Sequence, residues 1–466
     1  MQAFLSVGLL HTDTASSDEA LYRWAGSLEW SHWLSGTPVP AFPAYFSGSP
    51  VVYPPLDALA YHFGGLTGAR LLSLGCMLIA TCLLWGTARR LFGARAAFFA
   101  AGLWAVLGPT QYLGAYATYD AFSLMLVAAA SWAVVHAGDQ GDEARWLVAA
   151  SVALALANAA KYASAIFDPV VLALAAAVVL SSHGLKAAAR RAAGVLVYTS
   201  AILVLLFTAG GGEYATGIAQ TTTARAGSGN SAASVWSESW QLIGVVLVIA
   251  IAAVGVAALG RTRSSLLIVA VLAGAGFLVP IEQARIHTLT SLNKHVDFGA
   301  WFAAMAAGYA ADRLIAFLRP RLAQAAACAA CAALLVFPAR AGNIQAHGIM
   351  TWPNSTRFLA VFAPLVKSTN GPILTDTKSL SESVLATGRN WQRWSSLTSI
   401  ELPDGHSISM PVAEYGRPKV YAQLIAAGYF NLVALVRERL SRVPLNFGGG
   451  PMIFMPLSDP HLAVRR

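Results

Sequence analysis

Long apolar runs alternate with short polar breaks over most of the chain. The runs fall at 69–88, 96–114, 121–137, 147–160, 165–181, 192–210, 241–259, 264–281, 296–312 and 322–338. A helix crossing the bilayer core needs about 20 apolar residues. The pattern therefore predicts about ten spans, or eleven with a further helix at the start. The run 147–160 is short and reads as a re-entrant or broken helix. At the start, MQAFLSVGLL is apolar but shorter than a span and lacks the basic n-region of a signal peptide. It reads as the tail of a truncated first helix.

Charge between the runs orients them. Arg89, Arg90 and Arg95 follow the first run, and Lys186, Arg190 and Arg191 separate the fifth from the sixth. Arg261 and Arg263 separate the seventh from the eighth, and Arg313, Arg319 and Arg321 the ninth from the tenth. These breaks alternate along the chain, so they share one side, and the lysine and arginine bias makes it the cytoplasm. The opposite side receives residues 1–68, the turn near 115–120, the region of Lys161, the loop 211–240, the loop 282–295 and the tail. The loop 211–240 is rich in Gly, Ser and Thr and reads as mobile.

Three regions follow: an external segment 1–68, a transmembrane domain 69–338 and an external tail 339–466. The tail contains no apolar run long enough to span. GPILTD, NLVALV and PMIFMPL read as buried strands, while SLSESVLATG and RPKVYAQLIAAGYF, ending at Gly428, read as helices. Alternating strand and helix predict a small α/β domain. The fold class is thus an α-helical polytopic membrane protein with a small C-terminal extracytoplasmic α/β domain, set in the plasma (inner) membrane.

Composition agrees. Of 466 residues, 56% are hydrophobic and 11% charged, with mean hydropathy +0.58. A soluble domain carries about a quarter charged residues, so a soluble enzyme and a disordered chain are both excluded. The net charge of +9 belongs to the cytoplasmic loops rather than to a nucleic-acid surface. The four cysteines, Cys76, Cys82, Cys328 and Cys331, all lie in apolar stretches. The CxxC at 328–331 lacks the further ligands and polar surroundings of a metal site.

Charged groups in or beside a bilayer are candidates for function. Asp18 and Glu19 sit in SSDEALYRW, where Ser16 or Ser17 also reads as a helix cap. Tyr53, Pro54 and Pro55 stiffen the entry to a helix starting near Leu56. Asp120 follows Tyr119 at an external mouth, as a pocket acid or a helix-start acid. Lys161, beside Tyr162, interrupts an apolar stretch and either snorkels to the interface or holds an anion. Arg285, His287, Lys294 and His295 form the densest external basic cluster. External acids and bases over an embedded pocket suit transfer from a lipid phosphate: a carboxylate takes a proton from an acceptor hydroxyl, and cations stabilise the leaving phosphate.

The order DEALY, YPPLDAL, TYD, AKYA, then a late external loop with Arg and Lys-His, resembles the GT-C membrane glycosyltransferases over residues 10–340. It is most similar to the family 39 branch of protein O-mannosyltransferases and lipid A aminoarabinose transferases. The resemblance implies a polyprenyl-phosphate sugar donor, an inverting transfer outside the membrane, and a protein, lipid or polysaccharide acceptor. It implies Asp18 as general base with Glu19 beside it, and Tyr53, Pro54 and Pro55 at the pocket rim. Asp120 would be a second pocket acid, and Lys161, Arg285 and Lys294 would face the phosphate. Tyr119, Tyr162, His287 and His295 join the substrate-binding set. No DxD motif occurs, which fits a lipid monophosphate donor needing no metal or other cofactor. The competing reading is a lipid or sugar transporter or flippase, which inverted repeats with matching broken helices would mark; none is visible.

Overall fold

The computed structural model describes residues 1–44, 46–137, 143–225, 227–260, 263–318, 320–352 and 354–375. Beyond these it describes 384, 387, 391–396, 399–401, 407–409, 424, 427–436, 452–455 and 463–465. The chain divides into two compact units. The first comprises Met1–Thr12 and Ala25–Met350, the second Asp13–Trp24 and Thr351–Arg466.

The N-terminal region is more helical than an external loop. It holds α1 (Gln2–Val7) and α2 (Ser17–Ser35), and α3 (Pro54–Phe92) begins where Pro54 and Pro55 pre-set the backbone for a first helical turn. Trp30 Nε1 donates to Pro55 O at 2.9 Å, tying α2 to this entry.

All ten apolar runs are helical. They occupy α3, α4 (Ala94–Ala105) with α5 (Gly108–Leu113), α6 (Tyr119–His136), α7 (Glu143–Ala160) and α8 (Asp168–Gly210). After the short α9 (Gly212–Thr221), they continue in α10 (Ala232–Leu259), α11 (Arg263–Arg285), α12 (Leu292–Ala316) and α13 (Arg321–Leu334), which runs on into α14 (Val336–Ile349). Among the described residues, 6 helices are long and apolar enough to cross a membrane. One of them, Tyr162–Gly210, takes up two of the sequence runs, because α8 breaks at Gly184 (φ 78°, ψ 178°). The chain is a multi-pass membrane protein.

The centre of the first unit is α12, in which every residue from Lys294 to Ala310 is buried. Its sequence, KHVDFGAWFAAMAAGYA, is apolar on nearly all sides, as a fully enclosed helix requires. Small residues let neighbours approach: a Cβ on Gly308 would lie 2.3 Å from Ala96 O. Two ion pairs join helix ends that the charge pattern assigned to one side. Arg95 Nε meets Asp312 Oδ1 at 2.6 Å, and Arg191 Nε meets Glu143 Oε1 at 2.9 Å. The opposite ends of α12 and α7 carry Lys294 and the approach to Lys161.

The 211–240 region is not an open loop. It forms α9, and Ser231 caps α10 by accepting from Ser234 N at 3.0 Å.

The second unit contains α15 (Thr356–Ser368) and a five-stranded sheet. The strands are β1 (Ile373–Thr375), β2 (Trp394–Ser396), β5 (Leu432–Val436), β6 (Met452–Met455) and β7 (Ala463–Arg465), in the order β2-β1-β5-β6-β7. All neighbouring pairs are parallel except β6–β7, and β3 (Ser399–Glu401) pairs antiparallel with β4 (Ser407–Ser409). Phe358, Phe362 and Val366 line one face of α15, and Phe362 meets the Trp394 ring edge-on at 5.9 Å. The three expected strands are present as β1, β5 and β6. The two expected helices, 379–388 and 417–430, lie largely outside the described residues.

Candidate active site

The first unit gathers charge where α6, α7 and α12 meet. Asp120 stands in the first turn of α6, where the helix dipole favours an acid. Lys161 follows the last turn of α7, where the dipole favours a cation. Lys294 stands near the start of α12, where the dipole disfavours it, and an acid partner offsets this. Lys161 Nζ lies 2.7 Å from Asp120 Oδ1, and Lys294 Nζ lies 3.7 Å from Asp120 Oδ2. Thr118 Oγ1 donates to Asp120 Oδ2 at 2.9 Å. All three charged side chains are buried, so each depends on the others to offset lost hydration.

Aromatic faces complete the enclosure. Lys161 Nζ sits 4.6 Å from the Tyr119 ring centre, and Lys294 Nζ 5.6 Å from that of Tyr116, within cation–π range. The Tyr119 hydroxyl is hydrogen-bonded to Ser47 Oγ. The segment carrying Ser47 runs against the end of α7: Ser49 N donates to Ala159 O at 2.7 Å, and Tyr162 N donates to Ser47 O at 2.9 Å. Between these bonds Gly48 leaves no room for a side chain, since a Cβ there would lie 1.9 Å from Ala160 O. Beyond Lys161 the helix is interrupted by a 3-10 turn, Tyr162–Phe167, held by Ser164 Oγ donating to Asn158 Oδ1 and Asn158 Nδ2 donating to Asp168 Oδ2, both at 2.8 Å.

A cavity of about 300 Å³ opens beside this cluster. Its polar wall includes Lys161, Tyr162, Arg225, Gln283, Arg285 and His295, and its apolar wall includes Ile166, Phe167, Val279 and Phe298. Gln283 Nε2 lies 2.8 Å from His295 Nδ1. A polar end with cations and an apolar end with aromatic rings suit a ligand with an anionic head and a hydrocarbon tail.

The sequence candidates separate on this geometry. Asp120, Tyr119, Lys161, Tyr162, Lys294 and His295 come together. Arg285 lines the cavity but is exposed, and its Nε and Nη2 hold Glu282 at 2.8 and 2.6 Å. His287 is exposed, with φ +52°, and its Nδ1 lies 3.1 Å from Asn230 O. Tyr53, Pro54 and Pro55 are buried at the start of α3 and do not line the cavity; Tyr53 Oη donates to Asp57 Oδ1 at 3.3 Å.

Asp18 and Glu19 belong to the second unit. Glu19 closes a capping box on α2: Ser16 N donates to Glu19 Oε2 at 2.9 Å, and Glu19 N donates to Ser16 Oγ at 3.3 Å. Its carboxylate therefore has a structural task. Asp18 is half-buried in the same turn.

Sequence reasoning missed Arg225, Gln283 and Tyr116. A signal for Arg225 existed: it is the only Lys or Arg between 211 and 240. Gln283 and Tyr116 are uncharged, and nothing in their local pattern marks them.

Residues 58–210 match the sequence profile of the dolichyl-phosphate-mannose-protein mannosyltransferase family. No curated relative matches the chain by sequence. Among solved structures, ArnT from Cupriavidus metallidurans bound to undecaprenyl phosphate is similar at 16% identity and a TM-score of 0.60, over 83% of each chain. Its apo form gives 17% identity and 0.59 over the same shares. The oligosaccharyltransferase AglB from Archaeoglobus fulgidus, in complex with an inhibitory peptide and a dolichol-phosphate, gives 12% identity and 0.58. That match covers 97% of this chain and 68% of AglB.

Proposed function

We propose that this chain, related to membrane glycosyltransferases and with the fold of the GT-C superfamily, moves a sugar from a polyprenyl-phosphate donor to a hydroxyl outside the membrane, with inversion. The observation that carries this reading is the buried Lys161–Asp120–Lys294 group beside an amphipathic cavity. Two cations share one carboxylate, so the group keeps a surplus positive charge next to a space with an apolar end. A lipid monophosphate offers the matching chemistry. Similarity to proteins bound to undecaprenyl phosphate and to a dolichol-phosphate supports the same donor class.

In this reading Asp120 is the counter-ion that holds two lysines, rather than an acid that transfers protons. The lysines stabilise charge that grows on the phosphate as the glycosidic bond breaks. The general base is Asp18, a role that rests on the DE motif. Fixed cations can neutralise a monophosphate, so no metal is needed and a chelator leaves transfer unchanged. The site and the C-terminal domain lie on the extracytoplasmic side of the inner membrane.

The test is transfer of labelled sugar to envelope acceptors, from polyprenyl-phosphate sugars and from nucleotide sugars in parallel, by wild type and Asp18→Asn. Label arriving from the lipid donor alone, and lost in the variant, supports the reading. Label arriving from the nucleotide sugar alone contradicts it.

A further inference from the structure

The two acids of the DE motif stand on a segment that is fastened to the far end of the chain. Asp13–Trp24 belongs to the second unit with Thr351–Arg466, although α1 before it and the rest of α2 after it belong to the first. The fastening is at Thr14. Trp352 Nε1 donates to Thr14 O at 2.8 Å, and Ser355 N and Ser355 Oγ both donate to Thr14 Oγ1 at 3.2 Å. Thr14 N donates to Asp13 Oδ1 at 2.8 Å, which turns its carbonyl and hydroxyl toward these partners. Ser355 directly precedes α15, whose Phe362 packs against Trp394 of β2. Thr14 is thus tied to the head of α15, and α15 to the sheet.

Little slack separates Thr14 from Asp18. Ala15 and Ser16 are both buried. Ser16 closes the capping box with Glu19, and Ala20 N donates to Ser16 O at 2.9 Å. Asp18 lies inside this closed turn. The cap fixes the turn internally, while the bonds at Thr14 fix where the turn stands. Each such bond contributes modestly to net stability. A shift of about 1 Å in a reacting group, by contrast, costs about a hundredfold in rate. Loss of the fastening is therefore felt in turnover before it is felt in folding.

We infer that Thr14, gripped by Trp352 and Ser355 at the head of the C-terminal domain, is a positioning residue that holds the first turn of α2 so that Asp18 reaches the acceptor hydroxyl. This rests on the role proposed above for Asp18. There the acceptor's proton passes to Asp18 as its oxygen bonds the sugar carbon, and the lipid phosphate leaves with the electron pair of the old bond. The Lys161–Asp120–Lys294 group belongs to the first unit and the DE motif to the second. The C-terminal domain thereby supplies the proton-accepting side of the reaction, and the first unit the donor side.

The experiment compares the full chain with Thr14→Val, Thr14→Ser, Trp352→Phe and Asp18→Asn. Turnover is read from labelled sugar moved out of polyprenyl-phosphate sugars, and donor-site binding from the Kd of undecaprenyl phosphate. Amide exchange at Glu19 and Ala20 reads the hold on the turn, and thermal melting controls for folding. T14V keeps the shape of threonine but loses Oγ1. It is expected to lower kcat by about ten- to a hundredfold and to speed exchange at both amides. Melting and the Kd for undecaprenyl phosphate stay as in wild type. T14S, which keeps the hydroxyl, restores turnover and exchange, and W352F, which loses only the Nε1 donor, falls between. T14V with wild-type turnover beside an inactive D18N overturns the positioning role and leaves the base reading intact. Unchanged exchange in T14V, or a Kd that weakens in step with turnover, also overturns it. Wild-type turnover in D18N rejects the base reading and this role with it. No transfer by wild type from any of these donors overturns the proposed function on which both rest.

Discussion

Lys161 Nζ lies 2.7 Å from Asp120 Oδ1, with both side chains buried, and this pair joins the end of α7 to the start of α6. Removing one partner of a buried pair strands the other charge, at a cost of about 3–5 kcal/mol. Asp120→Asn strands two lysines and is expected to lower the melting temperature in detergent by that equivalent. The double variant Asp120→Asn, Lys161→Met leaves one lysine instead of two and recovers part of the loss. An unchanged melting temperature in Asp120→Asn contradicts the counter-ion role.

The capping box separates the two acids of the DE motif. Glutamine also serves at the third position of such a box, so Glu19→Gln keeps fold and transfer near wild type. Ser16→Ala costs about 1 kcal/mol through the lost cap. Asp18→Asn keeps the melting temperature but lowers transfer by about 10²–10⁴, the usual worth of a general base. Turnover with both variants, set beside their melting curves, checks this. A Glu19→Gln variant as inactive as Asp18→Asn contradicts it.

Gly48 supports Lys161 by its lack of a side chain. Gly48→Ala places a methyl group against the Ala160 carbonyl, and overpacking of this kind costs about 1–3 kcal/mol. The displaced backbone carries Lys161, so the donor KM rises along with the loss in stability. Steady-state kinetics at saturating acceptor reads the first, and melting the second. A variant with wild-type KM contradicts the close fit.

Arg285 is exposed and engaged by Glu282. Exposed pairs of this kind are screened by water and contribute little to stability. Arg285→Ala therefore leaves both melting temperature and donor KM close to wild type, in contrast to Lys161→Met. A large rise in donor KM for Arg285→Ala restores the role that its place in the sequence first gave it.

Much of this was legible in the chain. The ten apolar runs are helical because an apolar run of that length has no other way to satisfy its backbone in a membrane. Pro54 and Pro55 marked the start of α3, and charge in the breaks put Arg95 and Arg191 on one side; the structure adds their partners, Asp312 and Glu143, at helix ends. At the site, Asp120 and Lys161 stood out because charge is rare there. Their pairing was not legible, because residues 41 positions apart meet only through the antiparallel packing of α6 and α7. Arg225 was obscured by its surroundings: Gly, Ser and Thr favour loops locally, and only bonds to residues 287–290 fix that segment over the cavity. Glu19 carried two readings in the sequence, since an S-x-x-E cap and a DE motif share the same letters, and the bonds to Ser16 show the cap.

The most direct test compares the donor KM of wild type and Lys161→Met in transfer from a polyprenyl-phosphate sugar, with acceptor saturating and both proteins shown to be folded. A lysine that holds the donor phosphate predicts a KM raised by about ten- to a hundredfold, the worth of a charged hydrogen bond. Wild-type KM and turnover in a folded Lys161→Met protein contradict the account, and place the donor phosphate away from this cluster.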